Sequence, residues 1–410
     1  MIYLKKFNTT AQYETFTGSS EYITPNVSVT EDNMGVHYNP YHDYSQDYFT
    51  FNIISAGTIM WKAQQTAYTT TISYSTDNGN NWSSITSNTG ASAPTISVNA
   101  GDKVMFKGDN MTYNSGSSRY NMFGGSTAKF SVEGNIMSLI NSTGFSTATT
   151  LQSAYTFSRL FWNCTGLTSA KNLVLPATTL APGCYNNMFT DCTSLVTAPE
   201  LPATTLAQSC YNSMFYGCTG LTTAPAILPA TTLADSCYSN MFYGCTGLTT
   251  VPTILPATTL RPSCYSSMFQ GCTSLTTAPE LPATTLAQKC YQNMFAECTG
   301  LTTAPAILPA TTLADYCYNT MFTACESLTT APELPATTLA KYCYAGTFQY
   351  CTSLNYIKCL ATNISASNCT TNWVNGVQTT SGTFVKNSSM SSWTTGNNGI
   401  PENWTVQDAS

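Results

Sequence analysis

The hexapeptide LPATTL occurs seven times, starting at Leu175, Leu201, Leu228, Leu255, Leu281, Leu308 and Leu334. Each copy is followed by a cysteine, a tyrosine, usually Met-Phe, and a second cysteine; one unit reads LPATTLAQSCYNSMFYGCTGLTTAPAI. The first cysteines of complete units, at 184, 210, 237, 264, 290, 317 and 343, lie 26 or 27 residues apart. The extra residue comes from a single slip, APELPATTL against APAILPATTL or VPTILPATTL. A unit this short cannot enclose a core of its own. A fixed period of roughly 20 to 50 residues is therefore the mark of a solenoid, in which each unit buries its apolar face against its neighbours.

Within a unit, LAQSCYNSMFYGC places Leu206, Cys210, Met214 and Cys218 four apart, and Tyr211 and Phe215 add a second row of the same spacing. That pattern predicts one apolar face of a short helix. The following CTGLTTAPAILP carries β-compatible Thr and Leu and then Pro, which stops strand pairing. Each unit thus reads as strand, proline-bounded turn and short helix. The ends decay as caps should. Phe157, Leu160, Phe161, Trp162 and Cys164 form a first rung lacking its leading cysteine, and Cys369, Trp373 and Val374 a last rung lacking its trailing one.

The pieces CTSLTTAPELP and MFxGCTxL are similar to BspA-like leucine-rich repeats, and the resemblance covers about residues 150 to 378. It implies a curved solenoid used for adhesion, with a Cys-x-x-Leu strand on the concave face and a Met-Phe pair packed behind it. The usual unit is a few residues shorter, which points to a longer helix on the convex side.

Seventeen cysteines, an odd number, leave at least one unpaired. The two in a unit are eight apart, about 12 Å along a helix, beyond the roughly 7 Å that a disulfide spans between Cα atoms. The second cysteines, Cys164, Cys192, Cys218, Cys245, Cys272, Cys298, Cys325 and Cys351, would stack about 5 Å apart in a parallel sheet. That permits bridges but cannot pair every member with both neighbours. The expectation is a ladder of buried free thiols acting as small hydrophobes. Zinc would need CxxC spacing and nearby histidine; the only histidines are His37 and His42, far from the repeats. No cofactor is expected.

Residues 48–136 have another texture. YFTFNIIS, TISYSTDNGNNWSSI, PTISVNAGDKVMFKG and TAKFSVEGNI read as alternating strands, with DNGNN as a hairpin signal and NAGDK as a turn. They predict an antiparallel β-sandwich, roughly a jelly roll. Trp61, Trp82 and Tyr113 are candidates for stacking on a sugar ring, against the alternative that the tryptophans pack in core and hairpin. Residues 1–47 are polar and tyrosine-rich, with Pro25 and Pro40 limiting regular structure. They are too short for a core and are expected to fold against a partner, with Tyr38, Tyr41 and Tyr44 as anchoring candidates. PNVSVTEDN and VHYNP in this segment resemble the leading segments of virion proteins from crAss-like bacteriophages. That resemblance implies a head fibre or other appendage on the virion surface, attached to capsid or tail protein through residues 1–47. It also implies a homo-oligomer, trimers being common among such fibres. Residues 379–410 read as a strand-turn-strand cap in which Val385, Trp393 and Trp404 cover the open end of the solenoid, domain 137–378.

Charged residues are 8% of the chain, the net charge is −6, and hydrophobic residues are 42%. This excludes a disordered polyelectrolyte and argues against a nucleic-acid partner, which needs clustered Lys and Arg. No apolar run approaches the roughly 20 residues that span a bilayer, and the start, MIYLKKFNTT, lacks the features of a secretory signal. Export as part of a particle fits this start. Glycoside cleavage needs two carboxylates roughly 5 to 10 Å apart in a cleft, but the repeat acids return with the period: Glu200, Glu280 and Glu333 in one slot, Asp235 and Asp315 in another. A residue that returns with the period is set by the repeat, so no enzyme is expected. The candidate binding surface is the row Thr222, Thr249, Thr276, Thr302 and Thr329, a periodic hydroxyl array suited to a periodic glycan on a host surface. The competing functions are an exported bacterial BspA-like surface adhesin, marked by an export signal, and a polysaccharide depolymerase, marked by release of reducing ends.

Overall fold

Alternating apolar residues set the first strands. In β1 (Phe49–Ser55), Phe49, Phe51 and Ile53 turn inward. Gly57–Met60 (β2), Lys62–Ala63 (β3), Thr71–Ser75 (β4), Ser83–Thr86 (β5) and Thr95–Val98 (β6) follow. Lys103–Lys107 (β7), Asn121–Met122 (β8) and Lys129–Asn135 (β9) complete the N-terminal region. The computed structural model describes residues 44–110, 119–377, 381–391 and 393–409. Tyr38, Tyr41, Tyr113 and both histidines lie outside the described residues, and Tyr44 opens a 3₁₀ turn, Tyr44–Gln46.

The strands β9, β1, β7, β4 and β5 form one antiparallel sheet in that order, with two short ladders, β2–β6 and β3–β8, beside it. The DNGNN stretch makes the β4–β5 hairpin. The NAGDK turn does not make one: β6 pairs with β2, and β7 with β1 and β4. Phe51 stacks on Phe130 at 4.4 Å, and Phe123 packs on both Phe51 and Trp61 at 4.8 Å, joining the ladders to the sheet.

The sheet has no seam with the repeats. Leu167–Val174 (β10), the strand of the first rung, pairs parallel with β9 as the sheet's sixth strand. Gly166 allows this approach, since a Cβ there would lie 2.1 Å from the Ala128 carbonyl oxygen. The ring of Phe123 then stacks on Phe161, and Phe161 on Phe189, so one apolar core runs from the sheet into the repeats.

Repeat follows repeat through parallel single-residue bridges. One column runs Thr150, Thr179, Thr205, Thr232, Thr259, Thr285, Thr312, Thr338 and Asn363, and a second includes Thr197, Thr223 and Thr250. Inside, tyrosines from Tyr185 to Tyr344 stack 5.6–5.9 Å apart, and phenylalanines from Phe161 to Phe348 stack 5.1–5.8 Å apart, with ring planes within 16°. Full strands form only at the two ends, in β10 and in Tyr356–Cys359 (β11). After β11, Thr383–Lys386 (β12) and Thr405–Asp408 (β13) continue a parallel sheet in the order β11–β12–β13. Trp393 stacks on Trp373 at 5.5 Å, while Val385 and Trp404 are buried.

The expected helix in each unit is corrected: no α-helix forms among the described residues. The LAQSCYNSMFYGC segment is a run of β-turns. Cys210, Asn212, Met214 and Tyr216 donate their N–H groups three residues back, to Ala207, Ser209, Tyr211 and Ser213. The intervening Ser209, Tyr211, Ser213, Phe215 and Gly217 donate instead to the next rung, at 2.8–3.0 Å. An α-helix would consume every one of these amides internally and leave none to join the rungs. Ser, Asn, Tyr, Phe and Cys are also indifferent helix formers. The fourfold spacing is real, but it is the advance of two turns.

The ribbon demands left-handed backbone at three places per rung, for example Ser236, Asn240 and Gly244, or Lys289, Asn293 and Glu297. Thr320, at φ 54°, occupies a position that is Asn at 187, 240, 293 and 372. A β-branched residue is poorly suited there. Thr320→Asn is expected to raise stability by about 1 kcal/mol, read as a higher denaturation midpoint with unchanged slope.

Candidate functional site: the threonine row and the thiol ladder behind it

In each rung the leucine of Cys-x-x-Leu is driven inward, and Leu221, Leu248, Leu275, Leu301 and Leu328 are fully buried. The next residue must therefore face out. Thr222, Thr249, Thr276, Thr302 and Thr329 are all exposed, one per rung. Backbone bonds join the row at alternate steps, with Thr249 N–H donating to the Thr222 carbonyl and Thr302 N–H to that of Thr276, both at 3.0 Å. The hydroxyls of Thr249 and Thr302 donate to the same two carbonyls, at 3.2 and 3.1 Å. These hydroxyls keep their lone pairs outward, so they offer a ligand acceptors and methyl groups more than donors. A second exposed row, Thr223, Thr250, Thr277, Thr303 and Thr330, lies beside the first. The doubled TT in every LTT carries that signal, and the sequence reading used only its first member.

The 26/27 slip has a surface consequence. The residue before LPATTL is Val174 in the first copy, Glu at 200, 280 and 333, and Ile at 227, 254 and 307. The three isoleucines are 38–46% exposed, and Ile254 bridges to Glu280 and Ile307 to Glu333. The repeat acids are engaged with neighbouring rungs: Asp235 with Arg261 and Glu333 with Lys358, both at 3.0 Å, and Glu297 with Gln270 at 3.1 Å. Among the described residues no group of three or more His, Cys, Asp or Glu is arranged to hold a metal ion. No helix there is long and apolar enough to cross a membrane.

The tryptophan candidates are corrected. Trp61 is 0% exposed, its N–H donates to the Thr70 carbonyl at 2.9 Å, and it is core. Trp82 is half-buried, donates to the Gly79 carbonyl at 2.9 Å, carries the Lys107 ammonium 3.9 Å over its ring, and meets Tyr48 edge-on. It staples the hairpin with its ring partly covered by Lys107 and Tyr48.

All seventeen cysteines are free and buried. The second-cysteine ladder does more than fill space. The thiols of Cys192, Cys218, Cys245, Cys272, Cys298, Cys325 and Cys351 each donate to the phenylalanine carbonyl of the preceding rung, at 3.0–3.2 Å. Cys164 does the same to Phe123 at 3.6 Å. Burial pushes the thiols of Cys164, Cys184, Cys237, Cys290, Cys298 and Cys351 up to about 12. Neutral thiols of this kind are poor nucleophiles and metal ligands, and each second-column thiol from Cys192 to Cys351 ties its rung to the one before.

The model for the BspA type leucine rich repeat region matches this chain in six copies, over residues 158–302 and 263–385, more than half of its length. The chain is similar to a solved leucine-rich repeat protein of T. pallidum, with 18% identity and a TM-score of 0.29, over 43% of this chain and 72% of that one. It is also similar to a leucine-rich repeat protein from Bacteroides ovatus, with 14% identity and a TM-score of 0.26, over 64% of this chain and 79% of that one. A leucine-rich cell surface protein from Faecalibacterium prausnitzii matches with 17% identity and a TM-score of 0.24, over 49% and 68%. No curated protein matches significantly. By its repeats this chain belongs to the BspA-type leucine-rich repeat family.

Proposed function

We infer that this chain is a non-enzymatic adhesin that presents its threonine face to a repeating glycan on a cell surface. The single observation that carries the reading is the row Thr222 to Thr329, exposed once per rung, with inter-rung bonds joining Thr222 to Thr249 and Thr276 to Thr302. A ligand that repeats along the stack would gain from many weak contacts at once, because each further contact is made at high effective concentration. The low charge leaves neutral hydroxyl and amide chemistry as the means of recognition.

A second reading concerns the carrier. The wording PNVSVTEDN and VHYNP favours a virion appendage, a head fibre or similar part held to capsid or tail protein through residues 1–47 and assembled as an oligomer. An exported bacterial surface adhesin is the alternative carrier, and the glycan-binding role is the same in both. Finding the first 47 residues ordered against capsid or tail protein in a particle would decide for the virion.

Binding is tested by passing the full chain over immobilised bacterial surface polysaccharides. Thr249→Ala with Thr276→Ala is expected to weaken binding about tenfold without lowering thermal stability. Release of reducing ends from the polysaccharide would overturn the non-enzymatic reading in favour of a depolymerase.

A further inference from the structure

The threonine row does not simply stop at the last repeat. After Thr329 the same position is Asn355, whose N–H donates to the Thr329 carbonyl at 2.9 Å. Its own carbonyl accepts from Thr383 N–H of β12, also at 2.9 Å. Between this last rung and the cap loop that contains residues 396–403 lies a cleft of about 730 Å³. That volume falls in the roughly 300–1,000 Å³ range of small-molecule sites.

The lining narrows the ligand. Asn355, Asn397 and Asn403 are among the lining residues, and an asparagine amide can both donate and accept. Val374, Val377 and Pro401 supply an apolar patch, with Val374 and Pro401 buried. Among the described residues of the lining, Glu402 is the one charged residue. An anionic ligand would meet no cation there, and a metal ion would meet a single carboxylate. A wholly apolar ligand would leave the amides unpaired wherever it desolvates them. What fits is a neutral ligand with hydroxyls around its rim and a C–H face, which is the chemistry of an uncharged pyranose.

We propose that this cleft is a terminal-sugar subsite: it takes the end of a neutral glycan whose following units lie along the threonine row. Continuity of Asn355 with the row is the observation that joins the two. The proposal rests on the adhesion reading above and adds to it a direction, an end and a charge preference.

The test uses the full chain and neutral hexose oligosaccharides of one to six units, from gluco-, manno- and galacto-series, with sialylated and sulfated oligosaccharides as anionic probes, measured by titration calorimetry. A neutral series is expected to bind at least tenfold more tightly than the anionic probes. Ser353→Trp, which places a bulky ring in the cleft from an exposed lining position, is expected to lower affinity at least tenfold at every length. Asn355→Ala is expected to do the same with a smaller change, which guards against misfolding of the larger substitution. Thr249→Ala with Thr276→Ala should weaken the six-unit ligand and leave the two-unit ligand unchanged. If the cleft variants bind every oligosaccharide as the parent does, or anionic probes bind better, the subsite is wrong and adhesion through the row still stands. If neither the parent nor any variant binds oligosaccharide or whole polysaccharide, both readings fall.

Discussion

Titrated upward from neutral pH under reducing conditions, the repeat stack is expected to keep its near-ultraviolet circular dichroism to about pH 9 and lose it within about one to two further units. The cause is the sheer number of buried acids that stay protonated in the native state. Burial raises all seventeen thiols above their ordinary value of 9.0, several to about 12. It likewise raises the phenols of Tyr211, Tyr238, Tyr265, Tyr291, Tyr318 and Tyr344. A group whose native pKa exceeds its unfolded one stabilises fully below the unfolded value, and that stability drains away as pH rises through the window between them. For the thiols the window opens near pH 9 and for the tyrosines near pH 10. Each thiol then costs about 1.4 kcal/mol per pH unit. With two thiols in a complete rung, this is about 3 kcal/mol per rung per unit, and neighbouring rungs are coupled. Tyrosinate absorbance should therefore lag and then rise together with loss of structure. Phenols that ionise one by one near pH 10 while the fold persists would show that the columns are not sealed.

Phe242→Ala is expected to cost about 3–5 kcal/mol, measured by denaturant unfolding of the full chain. Phe242 is 0% exposed and lies between Phe215 and Phe269, 5.4 and 5.5 Å away, with ring planes within 3°. Truncation opens a void in the middle of a column where neighbours on both sides are tied by their own backbone bonds and cannot collapse into it. The Phe242 carbonyl still accepts the Cys245 N–H and the Cys272 thiol, so the loss isolates packing from hydrogen bonding. Phe242→Leu should cost much less, about 1–2 kcal/mol. Hydrogen exchange should rise first in the rungs on either side. A loss below about 1 kcal/mol would mean that the ring stack is incidental to stability.

Much of this architecture was legible because it is repeated. The period, the buried Leu of Cys-x-x-Leu, the outward threonine after it and the strands around Phe51, Tyr74, Phe106 and Phe130 all follow from local pattern, where an apolar side chain must turn away from water. The helix was misread for a specific reason. Leu206, Cys210, Met214 and Cys218 are four apart in a helix and equally in a run of β-turns, and spacing does not record which carbonyl an amide chooses. Trp61 and Trp82 failed as sugar platforms because exposure depends on what covers a ring, and Thr70, Phe123 and Lys107 come from elsewhere in the chain.

Residue order alone determined that the units stack, which residues face inward, and that the cysteines recur in buried columns. Those are one-dimensional facts, set by the spacing of apolar groups and by the absence of histidine from the repeats. Only the tertiary structure decided three things: that half the ribbon amides cross to the next rung, that the second-column thiols cap a neighbour's carbonyls, and that a cleft closes the threonine row at Asn355. Each joins groups from different rungs or from the cap, and such pairings are set by how the rungs and cap come together in space, which no single unit encodes.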